Sequence, residues 1–331
     1  MKRVGVLAAS CLALVTVTFA SGAAQQVGPA PGESLSQSYR GSQSDNVAYQ
    51  KVSPIKVFDN LYYVGPGSVS VWLIPTSDGV ILIDTAQEPL VDHVIDSIRK
   101  VGFDPKTIKY ILLTHGHLDH FGGAGKIQAL SGARVAALQE DWTLIETAYK
   151  NPGRGNQDRG VPFTRDVVLR EGQDLTLGAT TLKVYKMPGH TPGSASFAFT
   201  VFDNGRPYKA LVLGGPGQRN GVEGGTQFLE SIRRLKREFA DVEVPVHVHS
   251  YLTTYPVPSG GTVFEPAQQL ARRKPGEPHP FVDNAAWRRW LDVAEAGTVK
   301  YVDEERQKAE RTRAKLRGGT WPESVFVERT L

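Results

Sequence analysis

His115-Gly116-His117-Leu118-Asp119-His120 is the stretch on which the reading of this chain turns. It follows an apolar, β-branched run at 108–113 whose length and flanks predict a buried strand. His115 and His117 stand two residues apart at the end of that strand, where an extended backbone sends both imidazoles to the same side. They can share one cation. Asp119 and His120 fall where the chain should turn into a helix, and the small residues Gly122-Gly123-Ala124 let that turn pack closely, so these two side chains can face a second cation nearby. One short loop thus serves two metals.

The other histidines are sorted by their place in the pattern. His190 sits in Pro188-Gly189-His190-Thr191-Pro192-Gly193, a turn-forming segment after an expected strand at 181–187, which suits a third imidazole for the first site. His247 and His249 alternate at the end of an expected strand at 242–248, so only one faces the cluster. His249, nearer the strand end, is the candidate, and His247 is a core or supporting histidine. His93 and His279 have no companions that would make them ligands. Three neutral imidazoles around one zinc leave a fourth position for water, whose pKa falls from about 16 to about 7, and the resulting metal-bound hydroxide is a nucleophile at neutral pH. A second zinc on Asp119, His120 and His249 would stabilise the leaving group, with the free oxygen of Asp119 orienting or accepting the proton.

Composition narrows the class. The chain has 331 residues, 40% of them hydrophobic, enough for a sizeable core. Cys11 is its only cysteine, and it falls within Met1-Lys2-Arg3, the apolar run 4–20 and Ser21-Gly22-Ala23, the pattern of a secretory signal cleaved after Ala23. The mature protein then has no thiol for a disulfide, a metal ligand or a nucleophile, and any metal must use histidine and carboxylate. The net charge of +4 includes Lys2 and Arg3, so +2 remains after cleavage, far from a nucleic-acid-binding balance. The expectation is a periplasmic or secreted protein with a small-molecule substrate, no nucleic-acid partner and no membrane association once the signal is removed. Oligomeric state is not readable.

Residues 24–53, rich in Gln, Ser, Gly and Pro, read as a poorly ordered leader. A single domain then spans 54–320. It opens with a meander at 61–64, 69–74 and 80–83, followed by a helix at 90–101 and the strand at 108–113. Next come a helix near 124–131, a strand at 134–138, a helix near 140–149 and a Gly/Pro-rich loop at 151–162, long enough for a lid. The second half repeats the scheme, with strands at 174–177, 181–187, 196–202, 208–213 and 242–248 and a helix near 226–239. Helices near 262–273, 284–296 and 302–316 finish the chain. Two halves of this kind predict an α/β fold, a four-layer αββα sandwich.

Taken together, Gly79-Val80-Ile81-Leu82-Ile83-Asp84, the 115–120 motif, Gly189-His190-Thr191-Pro192-Gly193 and His249 resemble the metallo-β-lactamase superfamily from about residue 54 to 320. The resemblance implies that His115, His117 and His190 bind one zinc, that Asp119, His120 and His249 bind another, and that Asp84 braces the loop from behind. It is closest to the third subclass of metallo-β-lactamases and their uncharacterised metallo-hydrolase relatives, which use the full His-x-His-x-Asp-His motif without a cysteine ligand. Two departures matter. Glyoxalase-type, lactonase-type and nuclease members carry a metal-bridging Asp where this chain has Gly214-Gly215-Pro216, and third-subclass β-lactamases offer serines for the drug's carboxylate where it has Pro216-Gly217-Gln218. Arg219 could replace those serines as a carboxylate contact, and Trp142 and Tyr251 could line a pocket. The implied function is an exported dizinc hydrolase opening an amide or ester bond, a β-lactam ring among the candidates. Competing readings are a hydrolase of another small ester or lactone, a non-hydrolytic single-iron member, and a catalytically idle metal-binding protein.

Overall fold

In the computed structural model, which describes residues 29–150, 160–215, 217–252 and 261–318, the apolar runs form two sheets. The first holds seven strands in chain order: β1 (Ile55–Phe58), β2 (Leu61–Tyr63), β3 (Trp72–Thr76), β4 (Gly79–Ile83), β5 (Ile108–Leu112), β6 (Arg134–Leu138) and β7 (Val167–Leu169). The second holds β8 (Asp174–Leu177), β9 (Thr180–Lys186), β10 (Ala195–Asp203), β11 (Arg206–Leu213) and β12 (Val244–His247), side by side in the order β12-β11-β10-β9-β8. β1 to β4 are antiparallel neighbours, whereas β4 to β7 and the β11/β12 pair are parallel.

Parallel neighbours need a crossover, and helices supply it. The helices are α1 (Leu35–Arg40), α2 (Val47–Gln50), α3 (Val91–Lys100), α4 (Leu118–Phe121), α5 (Ala124–Ser131), α6 (Gln139–Lys150), α7 (Gly221–Glu238), α8 (Phe264–Leu270) and α9 (Asn284–Gly318). α3 links β4 to β5, α4 and α5 link β5 to β6, α6 links β6 to β7, and α7 links β11 to β12.

The layers follow from the two-residue period of a strand. Ile81, Ile83, Leu112, Ala136 and Leu138 point inward and meet Leu182, Val184, Phe197, Val212 and Val246 of the second sheet. Their neighbours Leu82, Ile111, Leu113 and Val135 point outward onto Val94 and Ile98 of α3, Ile127 of α5 and Trp142 of α6. Leu211 and Leu213 meet Phe228 and Ile232 of α7 and Trp287 and Leu291 of α9. Both faces of β4 are covered, which is why residues 80–83 read as an unbroken apolar run. The αββα sandwich expected from the sequence is what forms. Among the described residues no helix is long and apolar enough to cross a membrane.

Several expectations need correction. Residues 29–53 are not a loose leader: α1 and α2 pack on the sandwich, with Tyr39 buried against Phe264 and Tyr49 at ring-centroid distances of 4.6 and 4.8 Å. Ser34 and Gln37 form a reciprocal capping box that starts α1. The helices expected at 284–296 and 302–316 are one continuous α9, because Ala294, Thr298 and Val302 stay buried across Gly297, and packing offsets its roughly 1 kcal/mol helix penalty. β1 and β7 are short and were not expected. The strand expected at 69–74 begins only at Trp72, while Val69 makes an isolated bridge to His249. The expected signal peptide 1–23 and most of the lid loop lie outside the described residues.

Trp287 is almost fully buried and stacks on Trp290 at 5.4 Å. Trp287→Ala should cost about 3–5 kcal/mol by opening a cavity under α9. Chemical denaturation reads this as a lower midpoint, and an unchanged midpoint would show that α9 contributes nothing to the core.

Candidate metal centre

All the motif residues arrive at one rim of the sandwich because their strands end there. Asp84 follows β4, His115 and His117 follow β5, and Asp119 and His120 lie in α4, whose short turn starts just after His117. His190 lies in the turn between β9 and β10, and His249 follows β12. The crevice outside the carboxyl ends of the strands is the usual site location in α/β sheets.

One ligand atom each from His115, His117 and His190 lies within 4.8 Å of the others, and the same holds for Asp119, His120 and His249. In the first group His190 Nδ1 donates to the Gly217 carbonyl at 2.9 Å, leaving its Nε2 3.2 Å from His117 Nδ1. Tetrahedral zinc–nitrogen bonds of about 2.0–2.1 Å place ligand nitrogens about 3.4 Å apart, so this spacing suits a shared cation. His115 Nε2 is buried with no hydrogen-bond partner.

The second group is ordered by one buried carboxylate. Asp84, at φ +60° in a region that Asp tolerates better than most residues, accepts from Thr114 N at 2.8 Å on Oδ1. Its Oδ2 accepts from Thr114 Oγ1 at 2.7 Å and His120 Nδ1 at 2.8 Å. Thr114 Oγ1, its own proton given to Asp84, accepts from His115 Nδ1 at 3.1 Å. Asp84 therefore fixes both rings with the Nδ1 proton outward and Nε2 turned to the centre. His120 Nε2 also lacks a hydrogen-bond partner and lies 3.4 Å from Asp119 Oδ2, to which His249 Nε2 approaches at 3.9 Å. Buried acceptors left unpaired cost about 1–3 kcal/mol each. Two such nitrogens among convergent imidazoles fit metal ligation, and the donor set is the nitrogen and oxygen mixture zinc accepts.

Electrostatics separates the five rings. Burial pushes His117 down to about 4 and His190 down to about 3, and holds His115 and His249 well below the usual range, so four rings are neutral and available near pH 7. Burial also opposes charge on His120, but the Asp119 and Asp84 carboxylates outweigh it and push the ring up to about 10. Burial likewise works against an ionised Asp119, yet the surrounding imidazoles hold it well below the usual carboxylate range.

The remaining candidates separate. His247 is buried beside Trp290, with ring centroids 6.2 Å apart, and His279 stacks on Phe58 at 4.1 Å, both in packing roles away from the two groups. His93 is buried on α3. Trp142 lies in the core with Nε1 donating to Val167 O, and Tyr251 accepts from Gln37 Nε2 at 2.9 Å. Arg219 is exposed near the first group and disfavours protonation of His117 and His190. A β-carbon on Gly214 would stand 1.6 Å from Ala195 O, and one on Gly215 would stand 2.8 Å from His190 Cβ, so neither position has room for a bridging carboxylate.

Sequence reasoning missed two residues here. Asp141, buried on α6 and pushed up to about 6 by burial, accepts from Ser194 N at 2.7 Å, tying α6 to the His190 turn. Arg40, the last residue of α1, places Nη1 2.5 Å from His249 Nδ1. The capping-box spacing of Ser34 and Gln37 was the available signal for that helix.

Asp84→Asn should lower metal affinity by about 10–100-fold, since supporting partners of ligating histidines contribute on that scale. Chelator competition measures it, and an unchanged affinity would mean that Asp84 does not orient the rings.

Comparison with known proteins places this geometry. A family model described as the metallo-beta-lactamase superfamily matches residues 64–201. The crystal structure of BJP-1, a subclass B3 metallo-beta-lactamase of Bradyrhizobium japonicum, is 29% identical, with a TM-score of 0.63 over 80% of this chain and 96% of that one. The probable metallo-hydrolase YybB of Bacillus subtilis is 33% identical over 126 residues, 38% of this chain and 54% of its own. The N-acyl homoserine lactonase AttM of Agrobacterium fabrum is 30% identical over 106 residues, 31% of this chain and 40% of its own. The chain thus spans about half the length of these curated relatives. The fold, the two ligand groups and these likenesses agree: the chain has the metallo-beta-lactamase fold and is similar to that superfamily over the matched residues.

Proposed function

We propose that this protein is an exported dizinc hydrolase that opens an amide or ester bond in a small molecule, with β-lactams the first class to try. The observation that carries the reading is the pair of three-residue groups sharing the 115–120 loop, each with its ligand atoms within 4.8 Å. His115, His117 and His190 would hold one zinc, and Asp119, His120 and His249 the other. Bound there, zinc supplies Lewis acidity that makes water nucleophilic near neutral pH and stabilises negative charge on the departing atom.

The chain's own residues supply the rest. Asp84 holds His115 and His120 in a single tautomer, so their Nε2 atoms need no rearrangement. Asp119 turns Oδ2 to His120 and His249 and keeps Oδ1 to orient the attacking water or accept its proton. Burial of the rim removes competing solvent from the imidazoles. Export rests on the signal-like residues 1–23, and cleavage after Ala23 would leave a mature chain free of cysteine.

A second substrate reading, another small ester or lactone, is favoured by the likeness to AttM. Assay of zinc-loaded protein against β-lactams, lactones, thioesters and phosphodiesters decides. Nitrocefin or a carbapenem should be hydrolysed, and chelation or His115→Ala should cut the rate by about 100-fold or more. Turnover of lactones alone would move the assignment to the second reading. A dizinc protein that turns over no member of the panel would contradict hydrolase function.

A further inference from the structure

Two buried carboxylates lie behind the metal centre, and only Asp84 has been given a task so far. The other, Asp141, sits in the first turn of α6. Its Oδ2 accepts from Ser194 N at 2.7 Å, four residues beyond His190. Its backbone oxygen lies 3.1 Å from where a β-carbon on Gly116 would stand, and Leu144 of the same helix closes on that glycine equally tightly. The Thr191 hydroxyl and the Gly116 amide also act on the carboxyl, favouring its charged form against burial. One side chain thus reaches both the residue between His115 and His117 and the turn that carries His190.

The His190 turn does not keep its shape unaided. Ser194 adopts φ +42°, in the left-handed region that disfavours a residue with a β-carbon and persists only where the surroundings impose it. Two successive amides impose it here: Ser194 N donates to Asp141, and Ala195 N donates to the Thr114 carbonyl at 2.7 Å. Within the turn, Thr191 N donates to Ser194 Oγ at 3.1 Å and the two hydroxyls lie 2.7 Å apart. A β-carbon on Gly193 would stand 2.4 Å from Asp141 Oδ2, so the carboxylate comes this close only because the residue there is glycine.

Asp141 is an expensive way to hold a turn. It forms no ion pair among the described residues, and its Oδ1 is buried without a hydrogen-bond partner. A buried carboxylate lacking a cation works against stability, so its place here, next to backbone strain, marks a functional constraint and not packing alone. We infer that Asp141 is the positioning residue of the first metal group: it clamps the His190 turn to the segment between His115 and His117 and so sets the spacing of those three rings. Asp84 chooses which nitrogens face the centre, and Asp141 fixes how far apart the two turns stand, with His190 Nε2 3.2 Å from His117 Nδ1. The inference rests on the metal reading of that group, although the clamp itself does not.

Zinc affinity, measured against a competing chelator in two single-site backgrounds, tests this without turnover. Asp119→Ala with His249→Ala leaves only the first group, and His117→Ala with His190→Ala leaves only the second. Adding Asp141→Ala should weaken zinc by about tenfold or more in the first background, the scale on which supporting residues act. In the second background the change should stay within about threefold, as separated sites behave independently. Asp141→Asn, whose amide oxygen can still accept from Ser194 N, should recover part of the loss. Gly193→Ala, which leaves Asp141 in place but pushes its carboxylate off the turn, should reproduce the selective loss should Asp141→Ala fail to fold. Amide exchange in the metal-free protein reads the clamp directly: Ser194 N should exchange about tenfold faster in Asp141→Ala, while Thr114 N, held by Asp84, keeps its protection. The proposal is overturned if zinc affinity in the first background is unchanged, if both backgrounds weaken equally, or if Ser194 N stays protected. Failure of the metal reading would look different: zinc bound in neither background, with Ser194 exchange still accelerated.

Discussion

The buried carboxylate of Asp84 is the constraint on which the centre depends. It accepts a backbone amide, a threonine hydroxyl and a histidine ring nitrogen, and through Thr114 it also sets the ring of His115. Each hydrogen bond to a charged group is worth about 1.5–3 kcal/mol, and a carboxylate stripped of them would be costly to bury. The same bonds couple three levels of structure. They join the end of β4 to the end of β5, they hold the 115–120 loop against the sheet, and they choose which nitrogens face the centre. Loop conformation and ligand tautomer are therefore one event.

The sandwich makes that event possible by bringing distant segments to one rim. β4 and β5 are parallel neighbours in the first sheet, so Asp84 and His115 emerge side by side. β12 lies parallel to β11 in the second sheet, and the Val69–His249 bridge ties its continuation back to the first. Each metal group thus contains the 115–120 loop and one residue from the second sheet, His190 or His249. Sliding one sheet against the other would separate both groups at once. The tight packing at Gly214 and Gly215 works in the same direction, since it leaves no room for a bridging carboxylate beside the two groups.

Much of this was legible in the sequence because its determinants are local. Two-residue spacing at a strand end brings His115 and His117 together, and continuous apolar runs at 80–83 and 135–138 announce strands covered on both faces. His249 was preferable to His247 for a reason that the structure repeats: β12 stops at His247, which stays in the core, while His249 lies beyond it at the rim. What escaped notice depends on distant partners. α1 is a six-residue helix in a polar stretch, held by Glu265, Tyr251 and Phe264 from the far end of the chain. Its composition alone resembles disorder, and so Arg40 was invisible as a neighbour of the metal centre. β1 and β7 exist because β2 and β6 offer them edges to pair with. Gly297 reads as a break, yet burial of the flanking turns against α7 carries α9 through it.

The central claim is that two metal ions occupy adjacent sites sharing one loop. Diffraction at the zinc absorption edge from crystals of the zinc-loaded protein addresses it directly. The account predicts two anomalous peaks per chain about 3.5–4 Å apart, one within bonding distance of His115, His117 and His190 and the other of Asp119, His120 and His249. A single peak at saturating zinc, or peaks that leave either group without metal, would contradict it.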